Sequence, residues 1–253
     1  SVLEDPQTGN PRDALPSDQF YNALDYLGAM TPPPDIVVTS YSWYLATRDV
    51  QTGCLTLEGE DVAATKGLPR STFQMVKGDL VDDIQQHTLW SQNLASSLFV
   101  FSAGNNFAEL DPQLNDAVSV PSQLVIAAGL ESQTLIVGGA QLGNEIWHPV
   151  GIGNSGAASA FGDAVDIYAP ALNWQAANPL EQISGTSYSA PAVAGVAALT
   201  LAAQPARLGD SAWLKSRLVS RALTKPQELS CGGNERWSGN ARFLDATATV
   251  GDP

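Results

Sequence analysis

The stretch from Ile183 to Leu199 reads Ile-Ser-Gly-Thr-Ser-Tyr-Ser-Ala-Pro-Ala-Val-Ala-Gly-Val-Ala-Ala-Leu, a hydroxyl cluster leading into an apolar run. The run continues to about Ala203 with Ala, Val and Leu on every side, the pattern of a buried helix. Pro191 falls where a first helical turn is expected, the part of a helix that tolerates proline. Ser187 is therefore expected at the N-terminus of a buried central helix. Free backbone N–H groups and the helix dipole favour negative charge there. The chemistry this suits is nucleophilic attack by a serine hydroxyl, with the resulting oxyanion held at the helix start. A helix cap formed by Thr186 or Ser187 would carry no chemistry. A cap alone does not account for Gly-Thr-Ser, Pro191 and Gly195 at this spacing. The string is not a Gly-x-Ser-x-Gly elbow, because position 189 is serine.

The elements that must position this serine follow from the rest of the chain. Ser17-Asp18 caps a helix over residues 19–27, with Phe20, Ala23, Leu24 and Leu27 on one face, and Thr31-Pro32-Pro33-Pro34 stops it. Residues 35–40, Asp-Ile-Val-Val-Thr-Ser, form a buried strand rich in β-branched residues. A second helix is expected over Leu80–Ser96, then strands at Leu98–Ser102, Leu135–Val137 and Val165–Tyr168. Apolar strands alternating with helices imply a three-layer α/β fold, a mainly parallel β-sheet with helices on both faces. Sites in such sheets lie at the C-terminal ends of the strands. Residues 45–79 break the rhythm and are taken as an insertion in one domain spanning 1–253.

Composition narrows the class. The 253 residues are 44% hydrophobic and 15% charged, which excludes a disordered chain. Twelve basic against 26 acidic residues give a net charge of −14, which argues against nucleic acid or an anionic membrane as partner. No apolar run approaches the ~20 residues of a membrane span. No signal peptide is recognisable, so any export signal has been removed or lies upstream. The acidity fits a secreted or periplasmic protein without fixing its location. Cys54 and Cys231 have no metal or redox spacing; one disulfide or two thiols are both open.

The serine string resembles the nucleophile motif of the subtilisin-like peptidases, Gly-Thr-Ser followed by Pro and Ala-Gly. In that family a strand ending in Ala-Gly-Asn carries the oxyanion-hole asparagine, and the match here falls on Asn105. The resemblance implies that the Asn105 amide and the Ser187 N–H hold the oxyanion, because a tetrahedral intermediate needs donors where charge develops. It also implies that the stretch through Ser40, Tyr41 and Ser42 pairs with a peptide substrate as an added strand. Ser102, Ala103 and Gly104 would then form the facing wall of the main specificity pocket. Asn154-Ser155-Gly156, Phe161-Gly162 and residues 166–170 are similar to the segment preceding the family's serine motif. Residues 238–246 resemble its closing strand, departing at Asn240-Ala241. The likeness spans nearly the whole chain apart from 45–79. Calcium is common in the family, but no ligand set is assigned and no other cofactor is implied.

A serine nucleophile needs a base, and the base an orienting acid. The family's Asp-Ser/Thr-Gly and His-Gly-Thr-His segments do not occur here. His87 and His148 are the two histidines, the first in a helix that packs away from the site in the family, the second in a loop beside Trp147. No sedolisin-type Glu-x-x-x-Asp pair is present near Asp25, because Tyr21 occupies the glutamate place. Against the family, Ser1-Val2-Leu3 aligns just after the histidine helix, so the fold is expected to be N-terminally incomplete. Three explanations follow, in order: Asp and His on a separate polypeptide part, a non-catalytic peptide-binding relative, or a rewired site using His148. The expected function is serine endopeptidase chemistry on a peptide or protein substrate. Its partner would be a chain that brings Asp and His.

Overall fold

The computed structural model describes residues 16–40, 88–105, 125–148, 158–175, 182–230 and 236–251. Residues 45–79, Tyr41, Ser42, His87, Cys54, Cys231 and Asn154-Ser155-Gly156 lie outside the described residues, as do Ser1-Val2-Leu3.

Helix α1 (Pro16–Gly28) leads to β1 (Ile36–Thr39), and α2 (Thr88–Asn93) to β2 (Leu98–Ser102). A π-turn and a 3₁₀ turn precede β3 (Thr134–Gln141), which folds back into the short β4 (Glu145–Ile146). Then come β5 (Ile167–Pro170), the small hairpin β6 (Trp174–Gln175) and β7 (Gln182–Ile183), and α3 (Thr186–Ala203). The chain ends in α4 (Ser211–Ser220), β8 (Leu223–Ser230), β9 (Arg236–Phe243) and α5 (Ala246–Val250).

Seven strands form one sheet in the order β1-β2-β3-β5-β9-β8, with β4 beside β3. The pairs from β1 through β9 are parallel; β4 and β8 join antiparallel. Period-2 alternation assigns the two faces. Leu98 and Val100, Leu135 and Val137, and Ile167 and Ala169 point to one side, where they bury Ala190, Val193 and Ala197 of α3 and Leu214 and Leu218 of α4. Phe99 and Phe101 point to the other, against Tyr21 and Leu24 of α1 and Leu94. Ile136, Tyr168 and Phe243 continue that second face against Phe161 and Trp237. Helices on both faces of a mainly parallel sheet give the expected three-layer α/β architecture.

Several local expectations change. The buried face of α1 runs through Tyr21 and Leu24 rather than Ala23, because Tyr21 reaches the Phe99–Phe101 cluster. β1 is the sheet's edge among the described residues, and Val38 is 43% exposed, so it is half-buried. β3 extends to Gln141, and the strand expected at 165–168 begins at Ile167. Val165 and Asp166 instead close the approach, with Asp166 N–H on the Ile136 carbonyl. α3 is apolar all round but not buried all round: Leu199 is 59% exposed, as only one side meets the sheet. Among the described residues α3 is the helix long and apolar enough to cross a membrane; half of it is buried inside the fold.

Candidate active site

The C-terminal ends of β1, β2 and β5 converge on the start of α3. Ser40 follows β1, Gly104 and Asn105 follow β2, and Ala171 follows β5. Gly185 N–H donates to the Ala171 carbonyl at 2.8 Å, which brings the chain back over the sheet just before α3 begins.

Thr186, the first helical residue, is fully buried and ties the start of α3 to the turn after β2. Its N–H and its hydroxyl both donate to Asn105 Oδ1, at 2.8 and 2.9 Å. Its Oγ1 accepts the Gly104 N–H at 3.2 Å. These bonds occupy the carbonyl end of the Asn105 amide and turn Nδ2 away from Thr186. The position that a Cβ would take at Gly185 lies 3.4 Å from Asn105 Nδ2 and 3.8 Å from the Ser187 backbone N. Asn105 Oδ1 lies 3.7 Å from the same point, so the Asn105 amide and the Ser187 N border one small space at a helix N-terminus, where the first-turn N–H groups lack helical partners. Ser187 is half-buried, and its Oγ has no hydrogen-bond partner among the described residues.

Further bonds fix the first turn. The Ser40 hydroxyl donates to the Ser187 carbonyl at 2.7 Å. The Ser189 hydroxyl, fully buried, lies 3.0 and 3.1 Å from the carbonyls of Ala169 and Pro170 at the end of β5. Pro191 is the sixth residue of α3, in its second turn rather than its first.

The structure thus brings Ser187, Asn105, Ser40 and Gly104 together. Ser102 and Ala103 are buried in the approach to Gly104, and Ala103 N–H donates to the Val137 carbonyl. Both backbone polar groups of Gly104 are taken, its carbonyl by the Ala160 N–H at 2.9 Å. Its φ of 104° is a conformation that favours glycine. Any wall formed by residues 102–104 would act through shape rather than through Gly104 hydrogen bonds. His148, two residues beyond β4, has its Nε2 3.2 Å from Nε2 of Gln141, the last residue of β3. Among the described residues, no three His, Cys, Asp or Glu side chains group to hold a metal ion.

Thr186, Ser189 and Gly185 are the site residues that motif reading underweighted. Their signal lay in the sequence: a hydroxyl on each side of Ser187 at a helix start is suited to tie down the turn rather than to react.

The chain matches the peptidase S8 model, the Subtilase family, over residues 34–240. It belongs to the subtilase family, a family of serine peptidases with this α/β fold. Among solved structures it is similar to a cold adapted subtilisin-like serine proteinase at 18% identity and a TM-score of 0.45, covering 85% of this chain and 56% of that one. It is also similar to the serine protease MycP1, an essential component of the type VII (ESX-1) secretion system, at 21% identity and a TM-score of 0.41, covering 64% and 46%. The chain spans about half the length of these two structures. No curated protein matches it.

Proposed function

We propose that this chain carries the nucleophile and oxyanion hole of a subtilisin-like serine endopeptidase. Ser187 Oγ attacks the peptide carbonyl, and the carbonyl oxygen moves into the space flanked by Asn105 Nδ2 and the Ser187 N–H. Those donors stabilise the tetrahedral intermediate more than the ground state, which is the source of rate acceleration. An extended peptide pairs along the segment following β1, with residues 102–104 as the facing wall. The observation that carries the reading is the Asn105 amide, tied through its oxygen to Thr186 at the helix start where Ser187 stands with a hydroxyl unbonded among the described residues.

The base and its orienting acid come from a polypeptide part other than these 253 residues, because the family's Asp and His segments do not occur in them. A serine hydroxyl is a poor nucleophile at neutral pH until an adjacent base accepts its proton. The isolated chain is then catalytically silent beyond the ~10³–10⁴-fold that an oxyanion hole and binding retain without the full triad. The second reading, a peptide-binding module without catalysis, is favoured by the absence of the family's Asp and His segments from these residues.

Labelling with a fluorophosphonate probe tests the proposal. The isolated chain stays unlabelled, and Ser187 is labelled when the residues encoded upstream are co-expressed. Rapid labelling of the isolated chain, abolished by Ser187→Ala, would show a complete site within these residues. No labelling in either case would favour the binding module.

A further inference from the structure

In an α-helix each N–H donates to the carbonyl four residues earlier. The carbonyl that residue 191 would serve is that of Ser187, and proline has no N–H to give. The Ser187 carbonyl is therefore left open by the sequence of α3 itself. The structure fills the gap from 147 residues away: Ser40 Oγ donates to Ser187 O at 2.7 Å. The bond links the end of β1 to the peptide unit of the serine at the centre of the site. On the preceding peptide unit, the Thr186 N–H is held by Asn105 Oδ1. Ser187 is thus clamped on both sides along the backbone, while its own Oγ stays unbonded among the described residues.

We propose that Ser40 is a positioning residue for Ser187, its hydroxyl replacing the helical N–H that Pro191 withholds. Its catalytic consequence rests on the reading of Ser187 as nucleophile. The hydroxyl hydrogen of Ser40 is spent on Ser187 rather than on a substrate. Because Ser40 directly follows β1, the same bond sets the nucleophile's height above the strand along which a peptide would pair. Proline at 191 is then part of the device: a residue with an N–H would serve the carbonyl within the helix, and Ser40 would cease to be the donor on which it depends.

The test uses two readouts on Ser40→Ala, Ser40→Thr, Pro191→Ala and the Ser40→Ala/Pro191→Ala pair. Ser-Tyr occurs at 40–41 and 187–188 only. Carbonyl-¹³C serine with ¹⁵N tyrosine therefore gives two carbonyl signals, of which Ser40→Ala removes the first. The remaining Ser187 carbonyl signal should move upfield in Ser40→Ala. In the Pro191→Ala background, where an N–H serves that carbonyl, the same substitution should move it far less. This readout needs no activity. An unchanged signal in Ser40→Ala overturns the proposal.

The second readout is the fluorophosphonate labelling rate of Ser187 with the upstream residues co-expressed. Ser40→Ala should slow it about ten-fold, as small misplacements of a reacting group do. Ser40→Thr, which keeps the hydroxyl, should restore it. In the Pro191→Ala background the loss should shrink. Parental rates in Ser40→Ala, or an equal loss in both backgrounds, overturn the positioning role. If even the parent chain is unlabelled, the enzyme reading fails, and the carbonyl shift still decides whether Ser40 holds Ser187.

Discussion

Thr186 donates twice to Asn105, from its backbone N–H at 2.8 Å and from its hydroxyl at 2.9 Å, and both bonds end on the same oxygen. An amide whose oxygen carries two bonds cannot rotate freely, so its nitrogen is held toward the space beside Gly185. The asparagine thus owes its orientation to a neighbour of the serine it would assist.

Thr186→Val keeps the shape and removes the hydroxyl. It leaves the Gly104 N–H without its acceptor and Asn105 Oδ1 with one bond instead of two. The loss of stability should be about 1–3 kcal/mol, the penalty for a buried polar group left unpaired. Urea denaturation measures it. Ser187 labelling should fall as well, because the amide regains freedom. Full stability with unchanged labelling would show that the Thr186 hydroxyl orients nothing.

Gly185→Ala places a methyl group in the space between the two donors, 3.4 Å from Asn105 Nδ2. If the proposed oxyanion site is right, the expected effect in the assembled peptidase is on turnover, with KM little changed; the Gly185 φ of 158° adds backbone strain of its own, which a Tm measured on the same variant reads separately. A loss of roughly 10²–10³ in kcat matches that of removing one oxyanion donor. Asn105→Ala should lose a similar factor, and the double variant little more than either single one, as residues acting as a unit are not additive. Additive losses would place the two substitutions at separate sites.

Gly138→Ala tests the sheet rather than the site. A Cβ there would stand 2.4 Å from the ring of Tyr168, which is 1% exposed and hemmed in by Phe243. Overpacking of this kind destabilises by about 1–3 kcal/mol. A parental Tm in the variant would mean that the Tyr168 ring moves aside without penalty.

The layers of this fold were legible because its strands are short apolar runs that only a sheet buried on both faces accommodates. Leu98–Ser102 is recovered as β2 with the expected bounds, and the hydroxyl cluster at 184–189 does open a helix. What pattern reading could not supply was context. An apolar strand such as Ile36–Thr39 looks buried whether it lies centrally or at an edge. Its position depends on neighbours that periodicity does not name. The same holds for α3, whose all-apolar composition hides an exposed side bearing Leu199. Ser40 shows the limit most plainly. Its partner is a carbonyl 147 residues away, opened by a proline whose placement in the second turn became visible only with the helix start at Thr186.

The last prediction concerns the opposite end of the sheet. Asp166 lies before β5; its Oδ2 accepts the Ile136 N–H at 2.8 Å and its Oδ1 meets Lys215 Nζ of α4 at 3.2 Å. Burial raises its carboxyl above the ordinary value of 3.8; the Lys215 ammonium and the Ile136 N–H pull it down without reversing that direction. A carboxyl whose folded value lies above its unfolded one binds its proton more tightly in the folded state. Its contribution to stability is fully present below the unfolded value and is lost as pH rises through the folded value. Asp166→Asn removes this titration, while Lys215 keeps the Glu131 and Thr134 carbonyls as acceptors. The unfolding free energy of the parent minus that of the variant should therefore fall as pH rises from about 3.8 and then level off. Measuring both proteins in urea across that range isolates Asp166 from the other acidic residues, whose contributions cancel in the difference. A difference that rises with pH would mean that Lys215 outweighs burial and holds the Asp166 carboxyl ionised below its ordinary value.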